Sequence, residues 1–338
     1  MIVLGIETSC DETAVAVIKD GRQALSSKVF SQIFKHKQWG GVIPEVASRM
    51  HLETINRLIH DALAEAQITI KDITAIAVTQ GPGLVGSLMV GFNVAKTLAW
   101  IHQKPLIPVN HLYGHVCANF LETDLEPPFL CMLASGGHTQ VIAMPDFTNM
   151  QIMGETVDDA AGEAFDKVAR LMDLAYPGGP HLDKLAQTAT DTGSYRFPVP
   201  KVGDYNFSFS GLKTAVLRLK EKISPEQWQS DKAQIAKAFQ ECIARTLFEK
   251  VLLASQNTQL RSIVLAGGVA ANSAIRAKFK EEFTQENGFN LIVPSLKYCT
   301  DNAAMIASAG YFLYKHGSQS HVPADPKALQ QEVYARAS

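Results

Sequence analysis

The sequence predicts an α/β protein of two lobes, and three observations predict it. At 338 residues the chain is too long for one compact core and suits two lobes of ordinary domain size. Short apolar runs of strand character repeatedly end in glycine-bearing turns and resume as helices with apolar periodicity, the βα order of an α/β fold. Two openings of like pattern, GIETSCDETAVAVI from Gly5 and LASGGHTQVIAM from Leu133, begin the two halves and suggest two related lobes facing each other across a cleft.

Taken in order, residues 1–20 read as two strands joined by the polar turn ETSCDET. From Pro44 to Gln67 the apolar residues Val46, Leu52, Ile55, Leu58, Ile59 and Leu63 recur at helical spacing. A strand over 73–80 meets GPGLVGS, and an apolar helix follows from Leu88 to Ile101. Beyond Pro105 and Pro108 a second series begins: strand, polar glycine turn and strand over 129–144, then helices over 157–172 and 231–255. Residues 262–279 give strand, glycine turn and helix, FNLIVPS a strand, and 300–314 a last apolar helix, while 176–207 reads as loop. The expected division is 1–108 with 300–330 as one lobe, 109–299 as the other, and 331–338 as a tail.

Composition narrows the function classes. A hydrophobic fraction of 46% and a charged fraction of 19% are those of a globular protein. Net charge is −2, so the average surface does not attract polyanions, and a nucleic-acid partner would need a local basic patch or a helper protein. The five cysteines are odd in number and never spaced as CxxC, which fits unpaired thiols in a reducing compartment. The N-terminus reads as a strand and not a signal peptide, and no apolar run approaches the roughly 18 to 20 residues that span a bilayer. A cytoplasmic protein without membrane contact is expected.

Several clusters carry chemistry. His111 and His115 in NHLYGHVC stand four apart, so on a helix both imidazoles face one way and can share a cation. Two unrelated histidines at a helix start is the plainer reading. Zincin proteases place a glutamate directly after the first histidine, and Leu112 stands there instead. Asp301 is one candidate third ligand among many. Four glycine-bearing turns (GPGLVGS, ASGGHTQ, YPGGP and AGGVAAN) favour an anion or nucleotide site, since glycine lets backbone amides approach a phosphate. None is a Walker A loop or a GxGxxG fingerprint.

Asp159, Glu163 and Asp166 line one helix face, either as a solvated acidic surface or with one carboxylate on ribose hydroxyls. Glu7, Asp11 and Glu12 crowd the first turn, which is either exposed or holds a base or ligand positioner facing the cleft. Cys10 beside them has no histidine near in sequence and reads as a passive thiol. Lys28, Lys35, His36 and Lys37, interleaved with Phe30, Phe34 and Trp39, suit either a solvated surface or an unpaired RNA loop.

Together GIETSCDETAVAV, GGVIPEVASRMH, GPGLVGSLMVG, HLYGH, SGGHTQ, DDAAGEAFDK, YPGGP, FSFSGLKTA, LAGGVAANSAIR and CTDNAAMIA resemble, over nearly the whole chain, the bacterial tRNA N6-adenosine threonylcarbamoyltransferase family (the TsaD proteins). The resemblance implies a two-lobed fold of the actin-like, sugar-kinase and Hsp70 type with a central nucleotide cleft. It implies transfer of a threonylcarbamoyl group from threonylcarbamoyl-AMP to N6 of the adenosine beside the anticodon, in tRNAs reading codons that begin with A. His111, His115 and Asp301 would then ligate a divalent metal, Fe2+ or in some members Zn2+. Ala134, Ser135, Gly136, Gly137, His138, Asp166, Gly179, Asp183 and Asn272 would bind the adenylate, and Glu12 would help take the amine's proton. Implied partners are a paralogous TsaB-type subunit, a TsaE-type ATPase and a separate enzyme that forms the adenylate. Leu133 stands where archaeal and eukaryotic relatives carry a tyrosine, so no fourth ligand comes from there. Weaker rivals are a metalloprotease resting on HLYGH, a nucleotide-dependent scaffold without chemistry, and a sugar kinase or ATPase.

Overall fold

The computed structural model describes residues 1–199 and 202–317. The chain runs β1 (Ile2–Glu7), β2 (Glu12–Lys19), β3 (Gln23–Ser31), α1 (Ile33–His36), α2 (Pro44–Glu65), β4 (Ala75–Gly81), α3 (Val85–Ile101), β5 (Leu106–Asn110) and α4 (His111–Cys117). There follow β6 (Phe129–Ala134), β7 (Thr139–Met144), β8 (Gln151–Glu155), α5 (Ala161–Leu171), α6 (Gly178–Ala186), α7 (Ser210–Lys222), α8 (Pro225–Thr258), β9 (Ser262–Ala266), α9 (Ser273–Glu282), β10 (Asn290–Ile292) and α10 (Ala303–His316).

These elements make two compact units. Among the described residues, the first joins Met1–Glu126 to Thr300–Gly317, and the second is Pro127–Cys299. The boundary therefore lies at 126/127 and not at the expected 108/109. The reason is packing: α4 follows β5 directly and rests on α10, so HLYGH completes the first unit instead of opening the second. The expected tail 331–338, and residues 318–330 of the first lobe, lie outside the described residues.

The first sheet has the order β3-β2-β1-β4-β5, with β1 parallel to β4, β4 parallel to β5, and the β1-β2-β3 pairs antiparallel. Alternation sorts its two faces. Leu4, Ile6, Val15, Val17, Ile76 and Val78 join Ile55 and Leu58 of α2 and Val90 and Phe92 of α3 in one core. The opposite face is paved with small buried residues, Gly5, Ala14, Ala16, Ala75 and Ala77. That paving admits α10, whose residues Ala303–Phe312 are all buried. A Cβ on Gly5 would stand 2.3 Å from the Ala303 carbonyl oxygen and 2.8 Å from the Ala307 nitrogen, so the helix lies directly on the strand. This contact sets the N-terminus of α10 beside the end of β1.

The second sheet repeats the plan as β8-β7-β6-β9-β10, again with its first three strands antiparallel and β6, β9 and β10 parallel. The similar openings GIETSC and LASGGH are thus the equivalent first hairpins of two like sheets. Its core is rich in aromatics, with Phe165 on α5 edge-to-face against Phe239 on α8 at 5.4 Å. Ser224 accepts from the Gln227 N–H and Pro225 takes the first helical position, starting α8 earlier than the expected 231. The region 176–207 holds α6 and is not wholly loop, because Pro177 and the glycines after it start a helix. Among the described residues no helix is long and apolar enough to cross a membrane.

Candidate functional site

The parallel strands of the first unit end at Glu7, Gly81 and Asn110, and chemistry-bearing side chains gather at these carboxyl ends. The Asn110 side chain accepts from the Leu112 and Tyr113 N–H groups, capping α4 so that it begins at once with His111. One turn later His115 lies beside it, ring centroids 4.7 Å apart. Between them Gly114 lets α10 close in: a Cβ there would meet Ile306 Cδ1 at 2.7 Å. Asn302 caps α10 through the Met305 N–H, which leaves Asp301 just outside the helix and in front of the imidazoles.

The result is a convergent donor set. Asp301 Oδ1 lies 3.1 Å from His115 Nε2 and 3.5 Å from His111 Nε2, and one ligand atom from each of the three residues falls within 4.8 Å of the others. His115 is 1% exposed, yet neither of its ring nitrogens has a hydrogen-bond partner; the 3.1 Å approach to Asp301 lacks hydrogen-bond geometry. Buried imidazole nitrogens left in that state fit metal ligands.

Behind them stands Glu7, fully buried. His111 Nδ1–H donates to Glu7 Oε2 at 3.0 Å and lies 3.2 Å from Ser9 Oγ. Thr79 Oγ1 donates to the same Glu7 oxygen at 2.5 Å, and the Ser9 N–H donates to Oε1. A carboxylate on one imidazole nitrogen fixes the tautomer and turns the other nitrogen toward the ion. The acidic turn is therefore not exposed at Glu7, which is buried and bonded to His111. Ser9 and Thr79 were not singled out in the sequence, although the β1–β4 register, which pairs Ile6 with Val78, puts Thr79 beside Glu7.

Electrostatics follow from this crowding. Burial opposes charge on Glu7, but the His111 imidazole holds its carboxyl below the ordinary range. Burial likewise opposes the His111 cation, and Asp301 and Glu7 outweigh it, raising the pKa to about 9. Asp301, despite burial, is lowered to about 2 by the two histidines. Glu12 is raised to about 9 by burial and then by the Asp11 and Asp301 charges. Burial and the Asp11 carboxylate push the Cys10 thiol well up, in keeping with a passive thiol. No disulfide joins any of the five cysteines.

The sign of the pH dependence is fixed. His111 ordinarily titrates at 6.5 and here at about 9, so its stabilisation is complete below 6.5 and fades as pH rises through 9. Glu12, ordinarily 4.5 and here about 9, keeps its proton only when folded, and this also favours folding less as pH climbs. Ion-free protein is therefore expected to lose several degrees of melting temperature between pH 6.5 and 9, read by thermal melting in chelator. Metal affinity should rise over the same interval as the competing His111 proton leaves. A melting temperature flat across it would contradict the placement of these groups.

Three of the four glycine turns meet in the second unit. The turn after β6 closes by Ser135 N–H to the His138 carbonyl at 2.8 Å, and the Gly162 N–H donates to the Ser135 carbonyl at 3.2 Å. Gly267 follows β9 with φ of 85°, where a Cβ would stand 2.3 Å from the Ala134 carbonyl oxygen, so only glycine lets the two turns touch. Asp166 Oδ1 accepts from the Gly178 N–H at 2.7 Å, and Asp183 accepts from Ser273 N–H at 3.0 Å and from Ser273 Oγ at 2.5 Å. Asn272 caps α9 through the Ile275 N–H and donates to Gln240 Oε1 at 3.1 Å. A Cβ on Gly136, Gly137, Gly179 or Gly268 would meet nothing within 4 Å, so bare backbone faces open space at all four.

The fourth turn, GPGLVGS, belongs to the first unit, where the Leu84 N–H donates to the Ser9 carbonyl at 2.8 Å and braces the Glu7 turn. The acidic face of α5 divides: Asp159 and Glu163 pair with Lys167 at 2.6 and 2.8 Å, and Asp166 turns inward to Gly178.

Comparison with known proteins adds the following. The profile of the family described as tRNA N6-adenosine threonylcarbamoyltransferase matches residues 23–308. A protein of that name from Caldicellulosiruptor bescii is 49% identical over 318 residues, 94% of each chain. Its namesake from Bacillus subtilis is 47% identical over 321 residues, 94% of this chain and 92% of that one. Among solved structures, HypF of T. kodakarensis superposes with a TM-score of 0.63 at 16% identity over 93% of this chain and 48% of that one. Component A of the (R)-2-hydroxyglutaryl-CoA dehydratase of Acidaminococcus fermentans gives 0.55 at 16% identity, over 92% of this chain and 98% of that one. At such identities these two likenesses speak to fold alone, the α/β fold of the actin-like and sugar-kinase group.

Proposed function

Because the chain belongs to the tRNA N6-adenosine threonylcarbamoyltransferase family, we propose that it moves a threonylcarbamoyl group from threonylcarbamoyl-AMP to N6 of the adenosine beside the anticodon, in tRNAs reading codons that begin with A, and releases AMP. The observation that supports this most directly is the convergence of His111, His115 and Asp301 in front of a buried Glu7. Two imidazoles and one carboxylate suit a divalent ion with open positions, Fe2+ first and Zn2+ as the alternative. An ion held there would supply Lewis-acid polarisation of the donor's carbamoyl and phosphate oxygens.

The chain's own groups do the rest. Exocyclic adenine nitrogen is a poor nucleophile, whereas the carbamoyl carbon of a mixed anhydride with AMP is already activated. Holding the two together is accordingly the main task. The amides of Gly136, Gly137 and Gly268, on turns that face open space, are offered to the AMP phosphate, while Asp166 holds the 178–179 turn and Asp183 and Asn272 hold the start of α9 that follows the 267–268 turn. The new C–N bond forms as the C–O bond to phosphate breaks, and AMP leaves with that electron pair. We assign the N6 proton to Glu12. With its pKa raised to about 9, this carboxyl is a strong base once deprotonated, though a scarce one at neutral pH while Asp301 repels it.

A TsaB-type subunit, a TsaE-type ATPase and a separate adenylate-forming enzyme complete the proposed system, which works where tRNA is, in the cytoplasm. The test is mass analysis of nucleosides from tRNA incubated with the protein, threonylcarbamoyl-AMP and those partners. Threonylcarbamoyladenosine with an equal yield of AMP is expected; unmodified adenosine in every combination would overturn the reading.

A further inference from the structure

The segment from Ser31 to Ile43 follows β3 and is hydrogen-bonded to the Glu7–Glu12 turn that stands behind the candidate metal ligands. The Gln32 N–H donates to the Asp11 carbonyl at 3.0 Å, and Ser31 Oγ donates to Glu12 Oε1 at 3.1 Å. Beneath it runs a continuous buried relay. His36 Nε2–H donates to Gln32 Oε1 at 3.1 Å, and His36 Nδ1 accepts from the Ile43 N–H at 3.3 Å, closing the segment on itself. Gln32 Nε2 donates to the Ala47 carbonyl at 3.3 Å and lies 3.4 Å from His51 Nδ1. His51 Nδ1 accepts from Thr13 Oγ1 at 2.7 Å, and His51 Nε2–H donates to the Cys10 carbonyl at 3.0 Å. A buried network with every member bonded is rigid, so the relay locks the height of the segment to the Cys10–Glu12 turn.

The outer side is unlike the inner one. Phe34 is 66% exposed, Trp39 48% and Ile43 37%. Lys35 and Lys37, both exposed, make no ion pair with any described residue. Lys28, grouped with them in the sequence, is instead paired with Glu65 on α2 and drops out. The nearest acid along the chain, Glu45, is occupied by Arg49 at 2.7 Å. Two open aromatic faces flanked by uncompensated cations match the chemistry of unpaired RNA, whose bases stack on rings while phosphates meet ammonium groups. Position points the same way: through Ser31 and Gln32 the segment is bonded to the Asp11–Glu12 turn, and the Asp301 charge reaches Glu12 on that turn.

We propose that residues 33–43 are the contact surface for the unpaired loop of the RNA substrate, with Phe34 and Trp39 stacking on bases, Lys35 and Lys37 meeting phosphates, and the His36–Gln32–His51 relay holding that surface in register with the metal-site turn. The proposal rests on the tRNA reading given above.

The test uses the full chain with its partner proteins, a tRNA reading a codon that begins with A, and the isolated anticodon stem-loop of that tRNA. The double variant Phe34→Ala/Trp39→Ala is expected to raise KM for tRNA and Kd for the stem-loop by about tenfold or more, with metal content and KM for the adenylate unchanged. Phe34→Tyr/Trp39→Phe, which keeps the ring faces, should restore both. Lys35→Ala/Lys37→Ala should lower the salt slope of stem-loop binding by about 1.4. Unchanged stem-loop affinity in the aromatic variant overturns the proposal, and if complex assembly is lost instead, the surface is a protein-docking one. Stem-loop binding that depends on the rings, in a wild type that makes no threonylcarbamoyladenosine, would sink the transferase reading and leave this surface standing.

Discussion

Replacing His115 with alanine is expected to empty the metal site and slow transfer by about a thousandfold or more, while the protein still folds. The imidazole is buried and its nitrogens bond to nothing else in the chain, so its loss leaves a cavity, worth about 2–4 kcal/mol, but no stranded charge: Asp301 keeps His111 at 3.5 Å. His111→Ala should cost more stability, about 3–5 kcal/mol, because Glu7 would keep its buried charge and lose its cationic partner. The His115 variant is therefore the cleaner probe. Elemental analysis for bound metal and nucleoside mass analysis for transfer read the two effects side by side. Turnover at the wild-type rate in metal-depleted His115→Ala would remove the ion from the mechanism.

Gly137→Val is expected to weaken adenylate binding by about a hundredfold with hardly any change in melting temperature. Most glycine replacements fail this separation. At Gly267 a Cβ would overlap the Ala134 carbonyl oxygen at 2.3 Å and demand a φ of 85°, so valine there damages the fold as well as the site. At Gly137 an added Cβ touches no protein atom within 4 Å, and the new side chain stands where a phosphate would approach the amides. Calorimetric titration with AMP and with a stable adenylate analogue measures the effect. Wild-type affinity in this variant would mean that the SGG turn is not the seat of the adenylate.

The parts of this protein that could be read in advance are those where local pattern and fold agree. The βα units and the helix from Pro44 stand because each buries one consistent face, and the last apolar helix stands because it is buried all round over Ala303–Phe312. Edge strands escaped: β3, β8 and β5 carry mixed or proline-broken patterns, and their pairing comes from neighbours that sequence spacing does not reveal. The HxxxH pair was visible from helical geometry, whereas its third donor lies 186 positions beyond His115, brought in by the fit of α10 against Gly5 and Gly114 (301 − 115 = 186). Sequence shows Glu7 only as one of three crowded acids; its hydrogen bond to His111 depends on strand register, as do those of Ser9 and Thr79. Asp166, Asp183 and Asn272 follow from the family pattern, and their backbone partners, Gly178 for the first and Ser273 and Ile275 of α9 for the others, do not follow from spacing at all.

Helix α10 belongs to the unit whose sheet is laid down first, yet some 170 residues of the other unit are translated before it (299 − 126 = 173). On the ribosome, the alanine-paved side of the early sheet waits bare, and the two imidazoles wait without their carboxylate. The donor set of His111, His115 and Asp301 is complete only once residues 300–316 have emerged and docked. A prematurely terminated chain that lacks residues 300–316 therefore never brings Asp301 to the two imidazoles, and the candidate site stays incomplete.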